Sequence, residues 1–258
     1  MHLVFYKYHG TGNDFILIDN RDLSINLSEN EIKFLCNRHF GIGADGLMIL
    51  ENDKNFDFKM KYYNSDGKEG TMCGNGGRCI VSFAKKLNII KTKTKFIAID
   101  GEHFAEIYDN NTVKLKMSDV NGFKKIKNGY FLDTGSPHYV EFIDDFENID
   151  IYNKGKELRY SKDFAPKGTN VNFVKKLTDN NIFVATYERG VEDETLSCGT
   201  GVTASSLIYA VNNNINEFVE IKTKGGELKV FFEQKNNTFT NIWLQGETRF
   251  VFKGTILI

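Results

Sequence analysis

The sequence predicts an α+β fold made of two similar halves. Three observations indicate this: an internal repeat, a helix pattern after each of two matching cysteine motifs, and short stretches of alternating apolar and polar residues that are typical of strands. With 258 residues, of which 41% are hydrophobic, the chain is long enough to bury a substantial core.

The repeat is clearest at two glycine-flanked cysteines. The motif MCGNGGRC at 72–79 and the motif SCGTGVTAS at 197–205 place Cys73 and Cys198 125 residues apart. Glycines keep the same spacing around both cysteines, with Gly43 and Gly168 before them and Gly101 and Gly226 after them. Duplication of one unit explains this register, which divides the chain into halves at 1–118 and 119–246.

Helices and strands follow from the spacing of apolar residues. Apolar side chains recur at positions i, i+3, i+4 and i+7 after each motif, at Ile80, Phe83, Ala84 and Leu87, and at Ala204, Leu207, Ile208 and Val211. The second of these helices is apolar or small on nearly every side and is predicted to be surrounded by protein. A further helix begins at the capping box of Ser28 and Glu31 and ends near Gly41. Strands are predicted at 113–117 and 228–232.

The composition excludes several classes of function. The chain has 33 Lys and Arg against 34 Asp and Glu, and its net charge of −1 gives no electrostatic basis for binding nucleic acid or an anionic membrane. We therefore expect a small-molecule partner. The N-terminal residues lack a signal-peptide pattern, and no apolar run is long enough to span a bilayer, which predicts a soluble cytoplasmic protein.

The four cysteines are expected to be reduced. No secretory signal favours disulfides, and no Cys or His spacing is typical of a zinc site, so no metal is predicted. Cys36 and Cys79 are interpreted as small buried core residues. A thiol-based redox protein would place its two cysteines close together in sequence, unlike Cys73 and Cys198.

Cys73 and Cys198 are predicted to be catalytic. Each lies in a glycine-rich turn at a helix N-terminus, where N–H donors and the helix dipole favour a thiolate. Two such thiols in equivalent places suggest one pseudo-symmetric site, with a base on one face of a carbon and an acid on the other, as inversion of a stereocentre requires. No pyridoxal-phosphate lysine context or nucleotide fingerprint is present, and no cofactor is expected. The backbone N–H groups expected to bind a substrate α-carboxylate belong to Gly74, Asn75, Gly199 and Thr200.

Several motifs together carry a family resemblance: GTGNDFILIDN at 10–20, GIGADGL at 41–47, YNSDGKEGTMCGNGGRC at 63–79, GSPH at 135–138, YERG at 187–190 and SCGTG at 197–201. The chain resembles the diaminopimelate epimerases from residue 10 to about residue 205. The resemblance implies cofactor-independent interconversion of LL- and meso-diaminopimelate, in lysine and peptidoglycan precursor biosynthesis. It also implies that each half is a β-structure wrapped around a central helix, with the closing strand at 247–258 returning to the first half.

The resemblance also implies further site residues. The substrate pocket would be lined by Asn13, Asn64, Asn170, Glu188 and Arg189, and the thiols would be assisted by His138 and Glu188. Arg189 offers a bidentate fork for a second carboxylate, although an ion pair with Glu192 or Asp193 is an alternative. The chain departs from the family's usual Asn-Pro-His at Ser136, which puts one pocket contact in doubt.

Two other classes of function remain open at this point. A proline-racemase-like or other amino-acid racemase would share the two-thiol arrangement, although Asn75 and the context of Arg189 favour diaminopimelate. A catalytically silent amino-acid-binding paralogue would share the scaffold, and its simplest signature, loss of one cysteine, is absent from this sequence. A homodimer is a candidate assembly.

Overall fold

The computed structural model describes residues 2–258, which divide into two compact units. The first unit ends at Leu115 and takes up the chain again over Gly246–Ile258, and the second unit is Lys116–Gln245. Strands account for most of the regular structure, accompanied by four α-helices among residues 2–258. The predicted α+β class is confirmed at this level.

The first unit holds two of the helices. Its elements in chain order are β1 (His2–Gly10), β2 (Asn13–Asp19), α1 (Glu29–Cys36), β3 (Gly46–Glu51), β4 (Lys59–Asn64), β5 (Glu69–Gly70), α2 (Gly74–Lys86), β6 (Lys93–Ala98), β7 (Gly101–Ile107) and β8 (Thr112–Lys116).

The second unit holds the other two helices and a short 3₁₀ turn at Lys162–Phe164. Its elements are β9 (Val120–Asn121), β10 (Lys124–Ile126), β11 (Gly129–Asp133), β12 (Pro137–Phe142), α3 (Ile151–Arg159), β13 (Asn170–Thr178), β14 (Asn181–Glu188), β15 (Asp193–Thr195), α4 (Gly199–Asn213), β16 (Phe218–Thr223), β17 (Gly226–Lys235) and β18 (Thr238–Leu257), whose last part lies in the first unit.

The strands pair in the same order in both units. In the first, β1 and β2 are antiparallel, β2 and β3 parallel, β3 and β4 antiparallel, β4 and β6 parallel, and β6 and β7 antiparallel. The series β11, β12, β13, β14, β16 and β17 repeats these five pairings. Alternation along the strands places Val113, Leu115, Leu228, Val230 and Phe232 in the core, as the sequence predicts.

The helices that follow the cysteines are the most buried of the four α-helices in residues 2–258. Residues 74–84 of α2 are buried, and the helix contacts β1, β2, β3 and β7 of its unit. In α4, residues 201–210 are buried, and the helix contacts strands of the second unit, including β12, β13 and β14. The prediction of an α4 helix surrounded by protein is confirmed. Both N-termini therefore have fixed positions within their own units.

The first helix is shorter than the sequence predicts. The capping box at Ser28 and Glu31 is present, but α1 ends at Cys36 instead of near Gly41. The Asn37 side chain accepts hydrogen bonds from the backbone N–H groups of His39 and Phe40, both at 2.9 Å, and so favours a turn over a further helical turn.

The last strand, β18, pairs with strands of both units. Its C-terminal part pairs antiparallel with β1, from His2 opposite Leu257 to Gly10 opposite Thr248. Its first part pairs with β9. Within residues 2–258, none of the helices has the length and apolar character needed to cross a lipid bilayer.

Candidate active site

Cys73 is the N-cap residue of α2. Its backbone is extended, and its sulfur accepts a hydrogen bond from the Gly76 N–H at 3.2 Å. A Cβ on Gly76 would lie 3.2 Å from this sulfur and 3.3 Å from the Met48 sulfur, so the glycine permits the close approach. The half-buried thiol therefore lies at the positive end of a buried helix, the environment that favours a thiolate.

Asn75 and Asn13 lie together beside this N-terminus. Asn75 is buried and its side-chain nitrogen donates to the Asn13 Oδ1 at 3.3 Å. Asn13 in turn donates to the Asp45 carboxylate at 2.6 Å. Asn64, another predicted pocket residue, is exposed at the end of β4, where its backbone closes a turn with Gly67 and Lys68. The first unit thus brings two of its predicted polar residues directly to Cys73's helix.

Cys198 is the N-cap residue of α4 and is 7% exposed. Its sulfur lies 3.5 Å from the Thr200 Oγ1. The backbone carbonyl of Thr200 accepts a hydrogen bond from the Thr134 hydroxyl at 3.0 Å, which fixes the first turn of the helix. The Cys198 sulfur and the Thr200 hydroxyl can therefore form a hydrogen bond in which either group is the donor.

His138 reaches Cys198 through Thr200 instead of directly. Its Nε2 lies 2.9 Å from the Thr200 Oγ1, and its Nδ1 lies 3.1 Å from the Asn172 side-chain nitrogen. Because Asn172 uses that nitrogen to donate to the Tyr139 carbonyl and accepts from Thr186 at its oxygen, it is oriented as a donor to Nδ1. The His138 proton is therefore on Nε2 and is donated to Thr200.

Burial keeps His138 neutral. The side chain is fully buried, and desolvation, followed by the nearby Arg189 charge, lowers the pKa of His138 to about 3. At neutral pH the imidazole is thus uncharged and donates a hydrogen bond through Nε2, and it is not an imidazolium that could act as an acid. It orients Thr200, which contacts the sulfur.

Asn170 shapes the turn that carries Arg189. Its Oδ1 accepts the Arg189 backbone N–H at 2.8 Å, and its nitrogen donates to the Ser136 hydroxyl and the Pro137 carbonyl, both at 2.9 Å. Ser136, the departure from the usual family motif, therefore contacts Asn170. Glu188 is half-buried at the end of β14, immediately before this turn.

The surface ion pair considered for Arg189 is not formed. Glu192 instead pairs with Arg159 at 3.1 Å and accepts the Gly190 N–H at 3.0 Å. In the described part of the chain, the guanidinium of Arg189 has no carboxylate partner, whereas its charge acts on His138. Arg189 thus places a positive charge near His138, which contacts Cys198 through Thr200.

The other two cysteines differ from this pair. Cys36 and Cys79 are 3% and 0% exposed, as predicted for core residues. Burial raises the pKa of Cys36 to about 12 and also raises the pKa of Cys79. None of the four cysteines forms a disulfide, and the described residues contain no cluster of His, Cys, Asp and Glu that could hold a metal ion.

Sequence reasoning missed four residues that organise the site: Arg78, Thr134, Asn172 and Thr186. Two signals were available, since Arg78 lies inside the first cysteine motif and Asn172 follows Asn170 by two residues, on the same strand face. Thr134 and Thr186 had none, because a threonine on a strand is ordinarily explained by strand propensity.

Solved structures with the same fold include enzymes and biosynthetic proteins. A phenazine biosynthesis protein of the PhzF family from Bacillus anthracis aligns with a TM-score of 0.79 at 12% identity, covering 100% of both chains. A hydroxyproline epimerase from Agrobacterium vitis aligns with a TM-score of 0.69 at 12% identity, covering 99% of this chain and 92% of that one. At such identities the likeness establishes the fold alone.

Sequence relatives are much closer. The family model described as Diaminopimelate epimerase matches residues 5–122 and 130–251. A diaminopimelate epimerase of Flavobacterium psychrophilum is 54% identical over 97% of this chain and 99% of its own length. One from Chlorobaculum tepidum is 41% identical over 96% and 99%. The chain therefore belongs to the diaminopimelate epimerase family.

Proposed function

We propose that this protein is an isomerase that interconverts LL- and meso-2,6-diaminopimelate by proton transfer at the α-carbon, in the formation of lysine and peptidoglycan precursors. The observation that carries the proposal is the placement of Cys73 and Cys198 at the N-caps of the two buried helices, 125 residues apart, in a member of this family. No cofactor takes part in the proposed reaction.

The proposed chemistry needs one thiolate and one thiol. The thiolate takes the α-proton from one face of the carbon while the thiol delivers a proton to the other, and the two sulfurs exchange protonation states in each turnover. A cysteine pKa near 8.5 requires only a modest shift to populate both forms at neutral pH. Inversion in either direction then uses the same pair.

Thr200 suits both states of Cys198. Its oxygen accepts the His138 Nε2–H, which leaves a lone pair for an S–H donor and its own proton for a thiolate acceptor. His138 stays neutral at neutral pH, because burial lowers its pKa to about 3, and so it keeps this arrangement there. We propose this as the auxiliary role of His138.

The helix N-termini are the proposed carboxylate site. The backbone N–H groups of Gly74, Asn75, Gly199 and Thr200 lie in first helical turns, where N–H groups lack helical acceptors and the dipole favours an anion. The Gly76 N–H is already used by the Cys73 sulfur. Negative charge that spreads from the α-carbon into the carboxylate would be stabilised there.

We propose that Arg189 binds the distal carboxylate, the group that distinguishes diaminopimelate from ordinary amino acids. Its side chain is half-buried and its backbone is held by Asn170. Glu188 beside it supplies a carboxylate for a substrate ammonium group, and Asn13 and Asn64 supply further amide donors and acceptors. Asn170 would act chiefly by fixing the turn.

The duplicated architecture is part of the proposal. We assign the halves to 1–118 and 119–246, with 247–258 in the first, and interpret each as a β-structure around its central helix. The repeated strand pairing and the two compact units support this. We also propose that the protein is cytoplasmic and that it forms a homodimer. The homodimer is supported by partly exposed apolar side chains on β18, at Phe250, Val251 and Phe252.

The test is turnover in deuterium oxide. Purified protein without added pyridoxal phosphate should convert LL- to meso-diaminopimelate and incorporate solvent deuterium at the α-carbon as it does so. Proline, trans-4-hydroxyproline and lysine serve as matched substrates and should be turned over poorly. Efficient inversion of either proline compound would favour the racemase alternative, and tight diaminopimelate binding without turnover would favour a silent paralogue.

A further inference from the structure

Arg78 is a buried cation below the first turn of α2. Its side chain is fully buried, and its two terminal nitrogens donate to neutral oxygens: Gly74 O at 3.0 Å, Asn75 Oδ1 at 3.0 Å and Thr11 Oγ1 at 3.3 Å. Its Nε has no hydrogen-bond partner. In the described part of the chain, no carboxylate forms an ion pair with it.

Such a charge is costly to bury unless an anion is nearby. Desolvation lowers the pKa of Arg78 to about 10, so the guanidinium is still charged at neutral pH. The charged form is favoured by ionisation of the neighbouring Cys79 and Cys73 thiols. Cys79 is fully buried and stays a thiol, because burial raises its pKa. The anion available to Arg78 is therefore the half-buried Cys73.

The second unit has no such charge at the matching position. Thr203 lies 125 residues after Arg78, and its hydroxyl donates to Gly199 O at 2.9 Å, the carbonyl equivalent to Gly74 O. A neutral side chain is thus sufficient to make this contact at a helix N-terminus. The guanidinium of Arg78 therefore adds a fully buried positive charge at the N-terminus of α2 that α4 lacks at the equivalent position. On the Cys198 side, the cation is the half-buried Arg189, whose charge acts on His138.

We infer that Arg78 is a positioning residue that holds Cys73 as the thiolate of the resting enzyme, while Cys198 rests as the thiol. The inference deepens the proposed function and rests on it. In the turnover that starts from this state, the Cys73 sulfur takes the α-proton and the Cys198 S–H gives its proton to the opposite face. Arg78 also orients Asn75, whose oxygen accepts from it and whose nitrogen donates to Asn13.

The experiment measures each thiol separately and needs no substrate. Intact protein is alkylated with iodoacetamide at a series of pH values, and the modified fraction of each cysteine is read by peptide mass spectrometry. The midpoint of the rate–pH curve, unlike the absolute rate, is independent of accessibility. The Cys73 midpoint should lie below the Cys198 midpoint. Arg78→Met should raise the Cys73 midpoint by at least about one pH unit, a tenfold change in thiolate population.

Two further variants separate charge from packing. Arg78→Lys keeps a cation and should leave the Cys73 midpoint within about half a pH unit of the wild-type value. Thr203→Val removes the matching neutral contact in the second unit and should leave both midpoints in place.

Three results would overturn the inference. They are a wild-type Cys73 midpoint at or above that of Cys198, an unchanged Cys73 midpoint in Arg78→Met, or an equal rise in Arg78→Lys and Arg78→Met. If Arg78→Met does not fold, Arg78→Gln takes its place as the variant that removes the charge, and the wild-type order of the two midpoints is measured independently of both. Absence of epimerase turnover would instead contradict the proposed function, since the alkylation curves do not depend on it.

Discussion

The N-termini of α2 and α4 share a backbone arrangement but differ in the side chains around it. Both begin after an extended N-cap cysteine and carry a glycine three residues later, at Gly76 and Gly201. Around Cys73 the supporting side chain is the charged Arg78, whereas Cys198 is supported by the neutral series of Asn172, His138 and Thr200. The repeat thus preserves the position of the thiol, and the surrounding residues set its chemistry.

The backbone repeats even where the residue type does not. Positive φ angles recur 125 residues apart at Gly67 and Glu192, with values of 93° and 60°, and at Asn111 and Asn236, with values of 62° and 55°. Glu192 adopts an angle that is unfavourable for a side chain with a Cβ, and its carboxylate accepts hydrogen bonds from Gly190 and Arg159. Local contacts therefore maintain this turn in the second unit, where a glutamate stands in place of the glycine.

The largest expected effect comes from removing either sulfur. Cys73→Ala and Cys198→Ala should each lower kcat for inversion by about 10³-fold or more, because one face of the α-carbon loses its acid or base. Steady-state turnover of both isomers measures this. Cys36→Ala is the control, since it removes a buried core thiol and should lower stability while leaving kcat near the wild-type value. A single-cysteine variant with near-native turnover in both directions would contradict the two-base mechanism.

Much of this comparison could be predicted from sequence because backbone geometry depends on short-range patterns. The glycine-cysteine motifs, the apolar spacing after them and the alternation in β8 and β17 each specify local structure, and the structure has these elements at the predicted places. The predicted end of α1 near Gly41 was wrong because the Asn37 side chain accepts hydrogen bonds from the backbone N–H groups that follow it. The spacing of apolar residues does not reveal this effect.

The side chains that support the thiols were harder to predict because they come from distant strands. Thr134 and Asn172 reach Thr200 and His138 from β11–β12 and β13, across 66 and 34 residues of chain. Their sequence context is that of ordinary strand residues. Arg78 was visible in its motif, but its complete burial and its neutral partners follow only from packing against β1 and the turn at Thr11.

The next effect concerns recognition of the distal carboxylate. Arg189→Lys should cost about 2 kcal/mol of transition-state binding, or roughly 30-fold in kcat/KM, because an ammonium cannot replace bidentate pairing. Arg159→Lys is the matched control, since Arg159 already pairs with Glu192 at 3.1 Å. Near-native kcat/KM in Arg189→Lys would assign the distal carboxylate to another residue.

A smaller effect is expected at Thr200. Thr200→Val removes the hydroxyl between His138 and Cys198 and should lower kcat by about tenfold, the equivalent of one hydrogen bond to a charged group. Thr200→Ser keeps the hydroxyl and should restore most of the activity. If Thr200→Ser is impaired while Thr200→Val keeps near-native kcat, the side-chain methyl group and not the hydroxyl is what the site requires.

The last prediction concerns stability instead of turnover. It examines the Cys198 side of the comparison through the effect of His138 on the pH dependence of the free energy of unfolding. Burial lowers its pKa to about 3, whereas an unfolded histidine titrates near 6.5, so between these values the unfolded chain binds the extra proton. Stability from this group is therefore complete above about pH 6.5 and falls as the pH decreases, by up to about 1.4 kcal/mol per pH unit. Chemical denaturation of the wild type and of His138→Gln between pH 7 and pH 4 measures the difference, and carboxylates such as Asp14, whose pKa is also lowered, contribute to both curves alike. The variant should be less stable at pH 7 and should lose less stability on acidification. Parallel curves would mean that His138 takes up its proton in the folded protein as readily as in the unfolded chain. The contrast between Arg78 at the α2 N-terminus and a neutral His138 beside Thr200 would then fail.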